Sequence, residues 1–309
     1  MTDVQNLPPT EQRNPRTMEL DMMSTEQIVR VMNEEDAGVA AAVAHELPQV
    51  AAAAERIAQV LRQGGRLFYV GAGTSGRLAL LDALECPPTF SADPQQVQAV
   101  VAGGLGSDVV SSAEFEDRAD LGQQVMSDRA VGSNDVVVGV AASGATPFTV
   151  AAVEEARRLG ATTVALCCVA GSPLVAAAEI AVVPLVGPEV LTGSTRLKAG
   201  TAQKMVLNML STAAMVRLGK AYSNLMIEVQ PRNEKLRARA QRVFMQAAGM
   251  SAEEAQQWLR KAEGNVKVAL VMAATGVERK EAVRLIAEAG GHARRAIAAA
   301  AAQKQGGGR

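Results

Sequence analysis

Five short runs of apolar residues divide the middle of this chain, and helix-length stretches separate them. The runs fall at residues 66–70, 97–102, 136–142, 162–168 and 180–186. They are continuous in Val, Ala and Leu, a pattern typical of strands that are buried on both faces. The chain is therefore predicted to be an α/β protein with a five-stranded parallel sheet, doubly wound in the flavodoxin-like order 2-1-3-4-5.

Helical patterns flank the predicted sheet, and the 309 residues suffice for one large domain or two smaller ones. We predict an N-terminal arm with helices at residues 1–62, the sheet domain at 63–231, and a small all-helical domain at 232–309. Residues 1–17 are polar and contain three prolines, so we expect an extended arm unless another segment docks it. Residues 306–309 are expected to be a frayed tail.

Local signals predict the ends of several helices. Ser24 and Gln27 fit a capping box. Pro48 should interrupt the helical pattern of residues 39–62, and Pro87 with Pro88 should stop the helix that follows the first strand. The apolar stripe of the first helix is expected to be Ile28, Val29, Val31 and Met32.

Charge and cysteine usage exclude several classes of partner. The chain has 31 Lys and Arg against 32 Asp and Glu and no basic block, so neither nucleic acid nor an anionic membrane is an expected partner. The first residues lack the basic start and apolar stretch of a leader, so none is expected, and no apolar window of about 18 residues follows. Cys86, Cys167 and Cys168 lack metal-binding spacing and are expected to be buried structural thiols. We expect a reduced, soluble, cytoplasmic protein.

Three loops rich in small and hydroxyl residues follow predicted strands: GAGTSG at 71–76, SGATP at 143–147 and TGST at 192–195. Small residues let backbone approach a ligand, and hydroxyls and helix-start N–H groups donate to phosphate oxygens. In the predicted order the first two loops flank one crevice at the switch point. An anion site is predicted there.

The first loop also fits the GxGxxG pattern of dinucleotide-binding folds, which is a weak signal alone. Strand two ends in Ala102, Gly103 and Gly104, where an NAD protein would place its ribose-binding acid. Hydroxyls in the loops favour a phosphomonoester over a pyrophosphate.

Proton transfer at such a site should fall to carboxylates, lysine or tyrosine. His45 and His292 are the only histidines and lie in predicted helices outside the sheet. Glu85 precedes the two prolines, and Glu114 and Glu116 follow the second strand. Spacing alone leaves the choice among these acids open.

The three hydroxyl loops on a five-stranded sheet resemble the sugar isomerase (SIS) phosphosugar-binding domain. More narrowly, residues 71–77, 85–89 (ECPPT), 141–144 and 191–204 (LTGSTRLKAGTAQK) resemble the N-acetylmuramic acid 6-phosphate etherase family. The resemblance covers nearly the whole chain, including residues 10–14 and the helical tail, which is similar to a ubiquitin-associated-like (UBA-like) three-helix unit.

This resemblance implies a lyase of peptidoglycan recycling and carbohydrate metabolism. Such an enzyme cleaves the D-lactyl ether of N-acetylmuramic acid 6-phosphate, giving N-acetylglucosamine 6-phosphate and D-lactate without a metal or cofactor. It implies Glu85 as proton donor and Glu116 as the second acid or base, with the assignment open to reversal. Residues 113–115 depart from the family's EGAED pattern, which leaves Glu114 a lesser alternative. A homodimer is also implied.

The phosphosugar is expected to bind in the three loops and on the helix after the third loop, where Lys198 is favoured over Lys204. Two alternatives stay open: an aldose–ketose phosphosugar isomerase, and a SIS-type sugar-phosphate-binding regulator resembling glucokinase regulatory protein. The expected binding residues are Gly73, Thr74, Ser75, Gly76, Ser143, Gly144, Thr146, Ser194, Thr195 and Lys198.

Overall fold

Packing divides the chain into two compact units. A computed structural model describes residues 7–104, 113–229 and 234–306. The first unit is Met1–Leu84 with Pro94–Ser211, and the second is Glu85–Asp93 with Thr212–Arg309. The predicted three-part division stays a prediction. Residues 1–6 of the expected arm, 307–309 of the expected tail, and the predicted boundary at 231–232 lie outside the described residues.

The centre of the first unit is a five-stranded parallel sheet in the order β2-β1-β3-β4-β5, as predicted. Val70 of the first strand in the chain pairs with Val100 on one side and Gly139 on the other. The predicted fold class is therefore confirmed. The first strand extends one residue beyond its apolar run, and the other four strands end before their runs do. The strands are β1 Arg66–Gly71, β2 Val97–Val101, β3 Asp135–Val140, β4 Thr162–Leu166 and β5 Ile180–Val182.

The apolar runs become strands because both faces of the sheet are covered. Every residue of β3 and β4 is buried. Phe68, Val137 and Ala165 belong to one continuous apolar core with the helices on that face. Removing apolar surface from water stabilises this arrangement by about 25 cal/mol for each Å² buried.

Nine α-helices of the described chain begin in the first unit. Two of them, α4 and α9, each contain a boundary between the units. The bounds of the nine are α1 Thr25–Asp36, α2 Val39–His45, α3 Leu47–Arg62, α4 Gly73–Phe90, α5 Ala113–Glu116, α6 Ala119–Asp128, α7 Pro147–Arg158, α8 Pro173–Ala177 and α9 Lys198–Arg217.

The described part of the N-terminal arm is docked rather than extended. It forms short 3₁₀ turns at Pro9–Glu11, Pro15–Thr17 and Leu20–Met22. Asn14 and Thr17 are buried. Asn14 Nδ2 donates to Pro188 O at 3.3 Å, and Thr17 Oγ1 donates to Val190 O at 2.8 Å. These bonds hold the arm against the segment that precedes α9.

The capping box of Ser24 and Gln27 is present at the start of α1. Pro48 interrupts the helical pattern as predicted, because it lies at the start of α3. The predicted apolar stripe of α1 is wrong at Val29, which is 56% exposed. Only Val31 of that stripe is fully buried.

The predicted helix stop at Pro87 is also wrong, because α4 continues through Pro87 and Pro88 to Phe90. The φ angle that proline requires is compatible with a helix, and each proline removes only its own N–H bond. The helix ends at Phe90, and the next residue, Ser91, has a left-handed φ of 48°.

The second unit is mainly helical and contains a two-stranded hairpin, β6 Ala221–Tyr222 and β7 Leu225–Met226, that the sequence did not predict. Phe244, Val271 and Leu285 are central to its apolar core. Its helices are α10 Glu234–Ala248, α11 Ala252–Lys261, α12 Val266–Thr275, α13 Arg279–Glu288 and α14 Ala293–Gly306.

Candidate functional site

The turn from β1 into α4 is so tight that side chains would not fit at two of its glycines. A Cβ added to Gly71 would lie 2.9 Å from Val140 O, and one added to Gly76 would lie 2.7 Å from Gly71 O. Real Cβ atoms essentially never approach backbone this closely. The glycines therefore let β1, β3 and the start of α4 converge.

The start of α4 presents backbone donors at the end of β1. Gly76 N–H bonds to Ala72 O at 2.9 Å and so closes the first turn. The N–H groups of Gly73, Thr74 and Ser75 precede that bond and have no acceptor within the helix. Together with the positive end of the helix dipole they form a position suited to an anion.

The predicted second loop begins at the same edge of the sheet, since β3 pairs with β1 in parallel. Ser143 and Thr146 are half-buried. Ser143 Oγ accepts a hydrogen bond from Ala145 N at 3.2 Å. Thr146 is the residue before α7 and makes no side-chain cap, while Gly144 is left-handed with φ of 67°. The two loops that sequence placed at one crevice thus follow adjacent strands.

The helix that follows the third loop lies near the start of α4. Gly200 N, in the first turn of α9, donates a hydrogen bond to Thr195 O of the third loop at 3.0 Å. A Cβ placed on Gly200 would lie 3.9 Å from Thr74 Cγ2. Ser194 and Thr195 are half-buried.

The start of α9 itself is not open to an anion, because Glu189 already caps it. Glu189 Oε2 accepts from Lys198 N and Oε1 accepts from Ala199 N, both at 3.0 Å. Burial raises the pKa of this fully buried carboxyl, and the two N–H donors act against that rise. Any phosphate contact of the third loop must come from its hydroxyls rather than from this helix start.

Lys198, predicted to bind the phosphosugar, is engaged elsewhere. Its Nζ lies 2.6 Å from Glu35 Oε2, and the lysine is 4% exposed. Burial alone would raise the pKa of Glu35, but hydrogen bonds from Lys198, Asn14 and Arg16 outweigh it and lower the pKa. This pair joins α9, α1 and the N-terminal arm. Lys204, the less favoured lysine, is exposed.

Glu116 lies at the glycine loop. A Cβ on Gly73, whose φ of 51° is left-handed, would meet Glu116 Oε1 at 2.8 Å. Phe115 packs over Gly103 at the end of β2, where an added Cβ would lie 2.9 Å from the Phe115 ring. This contact directs the end of α5 toward α4. Glu114 is exposed. Ser111 and Ser112, which belong to the same predicted segment, lie outside the described residues.

The environment of Glu116 raises the pKa of its carboxyl. Burial is the largest cause, the charge of Asp117 raises the pKa further, and Arg77 opposes the rise. A shift in this direction makes the ionised carboxyl a stronger base, which is a feature of groups that transfer protons.

Glu85 lies on α4 in the second unit and is exposed. Its neighbour Cys86 is buried, as are Cys167 and Cys168. The prediction that the three cysteines are buried is confirmed.

Sequence analysis missed a buried polar cluster beneath the start of α4. Asp82 is 8% exposed and accepts hydrogen bonds from Tyr69 Oη at 2.9 Å and Ser211 Oγ at 3.0 Å. Burial raises its pKa to about 6, against the pull of those two donors and of Lys204. Ser75, Ala79 and Asp82 fall at helical spacing on one face of α4, which is the signal that could have revealed this cluster.

Gln203 was also missed. It lies on α9, is 1% exposed, and its Oε1 accepts a hydrogen bond from Ser75 Oγ at 2.9 Å. Gln203 therefore contacts the glycine loop through the side chain of Ser75.

Metal and membrane sites are not found in the described part of the chain. No group of three or more His, Cys, Asp or Glu side chains is placed to hold a metal ion among residues 7–104, 113–229 and 234–306. Within the same ranges, no helix combines the length and apolar character needed to cross a bilayer.

Comparison with known proteins places the chain among close relatives. It is 49% identical to N-acetylmuramic acid 6-phosphate etherase 2 of Vibrio cholerae over 93% of this chain and 94% of the relative. It is 56% identical to the N-acetylmuramic acid 6-phosphate etherase of Symbiobacterium thermophilum, over 87% and 89%. The chain belongs to the N-acetylmuramic acid 6-phosphate etherase family. The family named from sequence motifs is thus confirmed.

Broader comparisons agree on the fold of this family member. The glucokinase regulatory protein N-terminal SIS domain matches residues 49–157, and the SIS domain matches residues 110–213. A phosphoheptose isomerase structure from Francisella tularensis superposes with a TM-score of 0.51 at 18% identity, covering 63% of this chain and 100% of the other. That likeness shows a shared SIS fold.

Proposed function

We propose that this protein cleaves the D-lactyl ether of N-acetylmuramic acid 6-phosphate, giving N-acetylglucosamine 6-phosphate and D-lactate. The observation that carries the proposal is the identity of about half of all residues, over nearly the full length, with relatives named as this etherase. Such a reaction recovers amino sugar from cell-wall fragments. Because sugar phosphates are charged, we propose that the protein acts in the cytoplasm.

The chemistry explains why two carboxyls suffice. An ether resists direct displacement, but in the open-chain aldehyde the C2 proton is acidic and the lactyl oxygen at C3 is β to the carbonyl. A base removes the C2 proton, the C3–O bond breaks, and an acid protonates the departing lactate. Water then adds at C3 and a proton returns to C2. Each general acid or base contributes about 10² to 10⁴ in rate.

Glu116 is the carboxyl that we assign to C2. Three features support the assignment: contact with Gly73, partial burial, and a raised pKa. Glu85 is assigned as the donor to lactate from the family motif that it opens. Exchanging the two roles leaves the overall reaction unchanged, since each residue both takes and gives a proton over one turnover.

We assign the C6 phosphate to the start of α4. Its three backbone N–H groups and the hydroxyls of Thr74 and Ser75 supply the donors, with Ser143 and Thr146 from the adjacent strand end. Lys198 takes a structural role in this proposal, because its ammonium is paired with Glu35. Ser194 and Thr195 remain candidates through their hydroxyls alone.

A homodimer is part of the proposal, and it rests on the resemblance to paired SIS domains. Light scattering of the purified full chain tests it. A mass of twice 32.2 kDa is expected, and a mass of one chain at micromolar concentration would contradict it.

A sugar-phosphate-binding regulator is the second candidate, favoured only by the match of residues 49–157 to the glucokinase regulatory protein domain. It predicts binding of the phosphosugar without release of D-lactate. An isomerase would instead interconvert an aldose and a ketose phosphate.

The deciding experiment incubates the full-length protein with N-acetylmuramic acid 6-phosphate and measures D-lactate. Glu85→Gln and Glu116→Gln should each lose at least about 10²-fold in turnover. Glu114→Gln is the matched control on the same short helix and should retain turnover. Exchange of the C2 hydrogen in D₂O, measured on the same variants, separates the base at C2 from the donor to lactate. Full activity of either variant would remove that residue from the mechanism.

A further inference from the structure

Ser75 is the buried hydroxyl at the start of α4, and its hydrogen bond points away from the anion position. Its Oγ donates to Gln203 Oε1 at 2.9 Å, and Ser75 is 9% exposed. A hydroxyl has one hydrogen to donate. While that hydrogen is held by Gln203, Ser75 can offer an anion only lone pairs, which repel it.

The same amide leaves a buried donor unsatisfied. Gln203 is 1% exposed, and its Nε2 has no hydrogen-bond partner in the described part of the chain. Buried polar groups are nearly always hydrogen-bonded, and an unsatisfied donor is costly. Because the amide is hydrogen-bonded to Ser75 at the start of α4, the spare donor lies beside the side chain that is expected to bind the ligand.

A rotation of the Gln203 amide resolves both irregularities when an anion arrives. With Nε2 facing Ser75, the amide donates to Ser75 Oγ and the hydroxyl hydrogen becomes available to the anion. Hydrogen bonds arranged in such a chain polarise and strengthen one another. The amide oxygen then takes the position without a donor, which costs less than an unpaired N–H.

We propose that Gln203 is a positioning residue for phosphate, which donates through Nε2 to Ser75 Oγ so that Ser75 donates its hydrogen to a sugar phosphate at the start of α4. The inference rests on the proposed function for the identity of the sugar, but not for the presence of phosphate. Because Nε2 is shielded from solvent, Gln203 acts through Ser75 and does not contact the ligand itself.

A double-mutant cycle measured by calorimetry tests this chain of donors. The probe is N-acetylglucosamine 6-phosphate, with N-acetylglucosamine as the comparison that lacks phosphate. Ser75→Ala should weaken binding of the phosphorylated sugar by about 10-fold, the worth of one hydrogen bond to a charged group. Gln203→Met, which keeps volume but removes both amide atoms, should weaken it by about 3- to 10-fold.

The decisive comparison is Gln203→Met in the Ser75→Ala background, where it should have no further effect on binding. An equal loss in both backgrounds would show a merely structural role and would overturn the proposal, as would unchanged binding by Gln203→Met alone. Thr201→Ala is the control on the same turn of α9. Thr201 is exposed and its hydroxyl bonds only within the helix, to Leu197 O.

A measurement on the unmodified protein covers the case in which Gln203→Met does not fold. Hydrogen exchange of the Gln203 side-chain amide, followed by NMR, should slow when inorganic phosphate or the phosphosugar saturates the protein. Unchanged exchange would overturn the inference. These readouts need no turnover, so failure to release D-lactate would refute the proposed function while leaving this test intact.

Discussion

Substitution of Gly73 by alanine should impair catalysis through a single contact. The new Cβ would lie 2.8 Å from Glu116 Oε1, whereas ordinary contacts begin at 3.4 Å. The carboxylate must therefore retreat by about 0.6 Å, since it is the flexible partner. Misplacement of a reacting group by about 1 Å can cost 10²-fold, so we expect kcat to fall by roughly 10- to 100-fold.

The same substitution also carries a backbone cost, because φ at Gly73 is +51°. A left-handed residue with a side chain costs about 1 kcal/mol. Gly64→Ala is the matched control: its φ is +82°, and an added Cβ there meets nothing within 4 Å. Gly64→Ala should lose similar stability and keep its kcat.

The assay is release of D-lactate from N-acetylmuramic acid 6-phosphate, alongside urea denaturation of both variants. A fall in kcat for Gly73→Ala but not for Gly64→Ala supports the placement of Glu116 at the loop. Equal kcat values for Gly73→Ala and the unsubstituted protein would refute the reasoning that this carboxylate must be held in place.

Two further predictions concern buried charges in the first unit. Asp82 has a pKa of about 6 against an unfolded value of 3.8, so the folded chain holds a proton there that the unfolded chain releases. The stabilising effect of this bound proton is complete below pH 3.8 and is lost as the pH rises through about 6. The free energy of unfolding should therefore fall by roughly 3 kcal/mol across that range. Asp82→Asn should lack this fall, and parallel urea titrations of the two proteins would contradict the account if they had the same pH dependence. Lys198→Met should cost about 1 to 3 kcal/mol, since it removes the ammonium from the half-buried Glu35 and leaves only Arg16 and Asn14 as its partners. The double change with Glu35→Met should recover part of that loss, and a neutral single variant would be inconsistent with a stabilising pair.

The sheet could be predicted from sequence because its signal is local. Continuous apolar runs mark strands whose two faces are buried, and spacing between the runs leaves room only for helical connections. The strand order then placed residues 71–76 beside residues 143–147. Both features depend on short windows of sequence, and the structure reproduces them.

The partners of individual side chains could not be predicted in the same way, because they depend on distant parts of the chain. Lys198 is predicted to bind the phosphosugar, and the structure pairs its ammonium with Glu35 of α1. Glu189 takes the helix start that the third loop was expected to offer. A carboxylate of the protein, Glu35 or Glu189, therefore occupies each position at which the sequence motif suggested a negatively charged ligand.

Local rules also failed where tertiary packing outweighed them. Pro87 and Pro88 read as a helix stop, but α4 continues to Phe90. Asp82 belongs to no motif, since a single acid in an apolar helix is usually placed in solvent, and only the folded chain buries it against Tyr69 and Ser211. Propensity is a weak guide at such positions.

The central claim is elimination of lactate followed by addition of water at C3, and isotopes test it most directly. We would run the reaction to completion in H₂¹⁸O and separately in D₂O, and weigh both products by mass spectrometry. The account predicts one ¹⁸O at C3 and one deuterium at C2 of N-acetylglucosamine 6-phosphate, with D-lactate free of ¹⁸O. Label in the lactate, or a product without deuterium at C2, would contradict it.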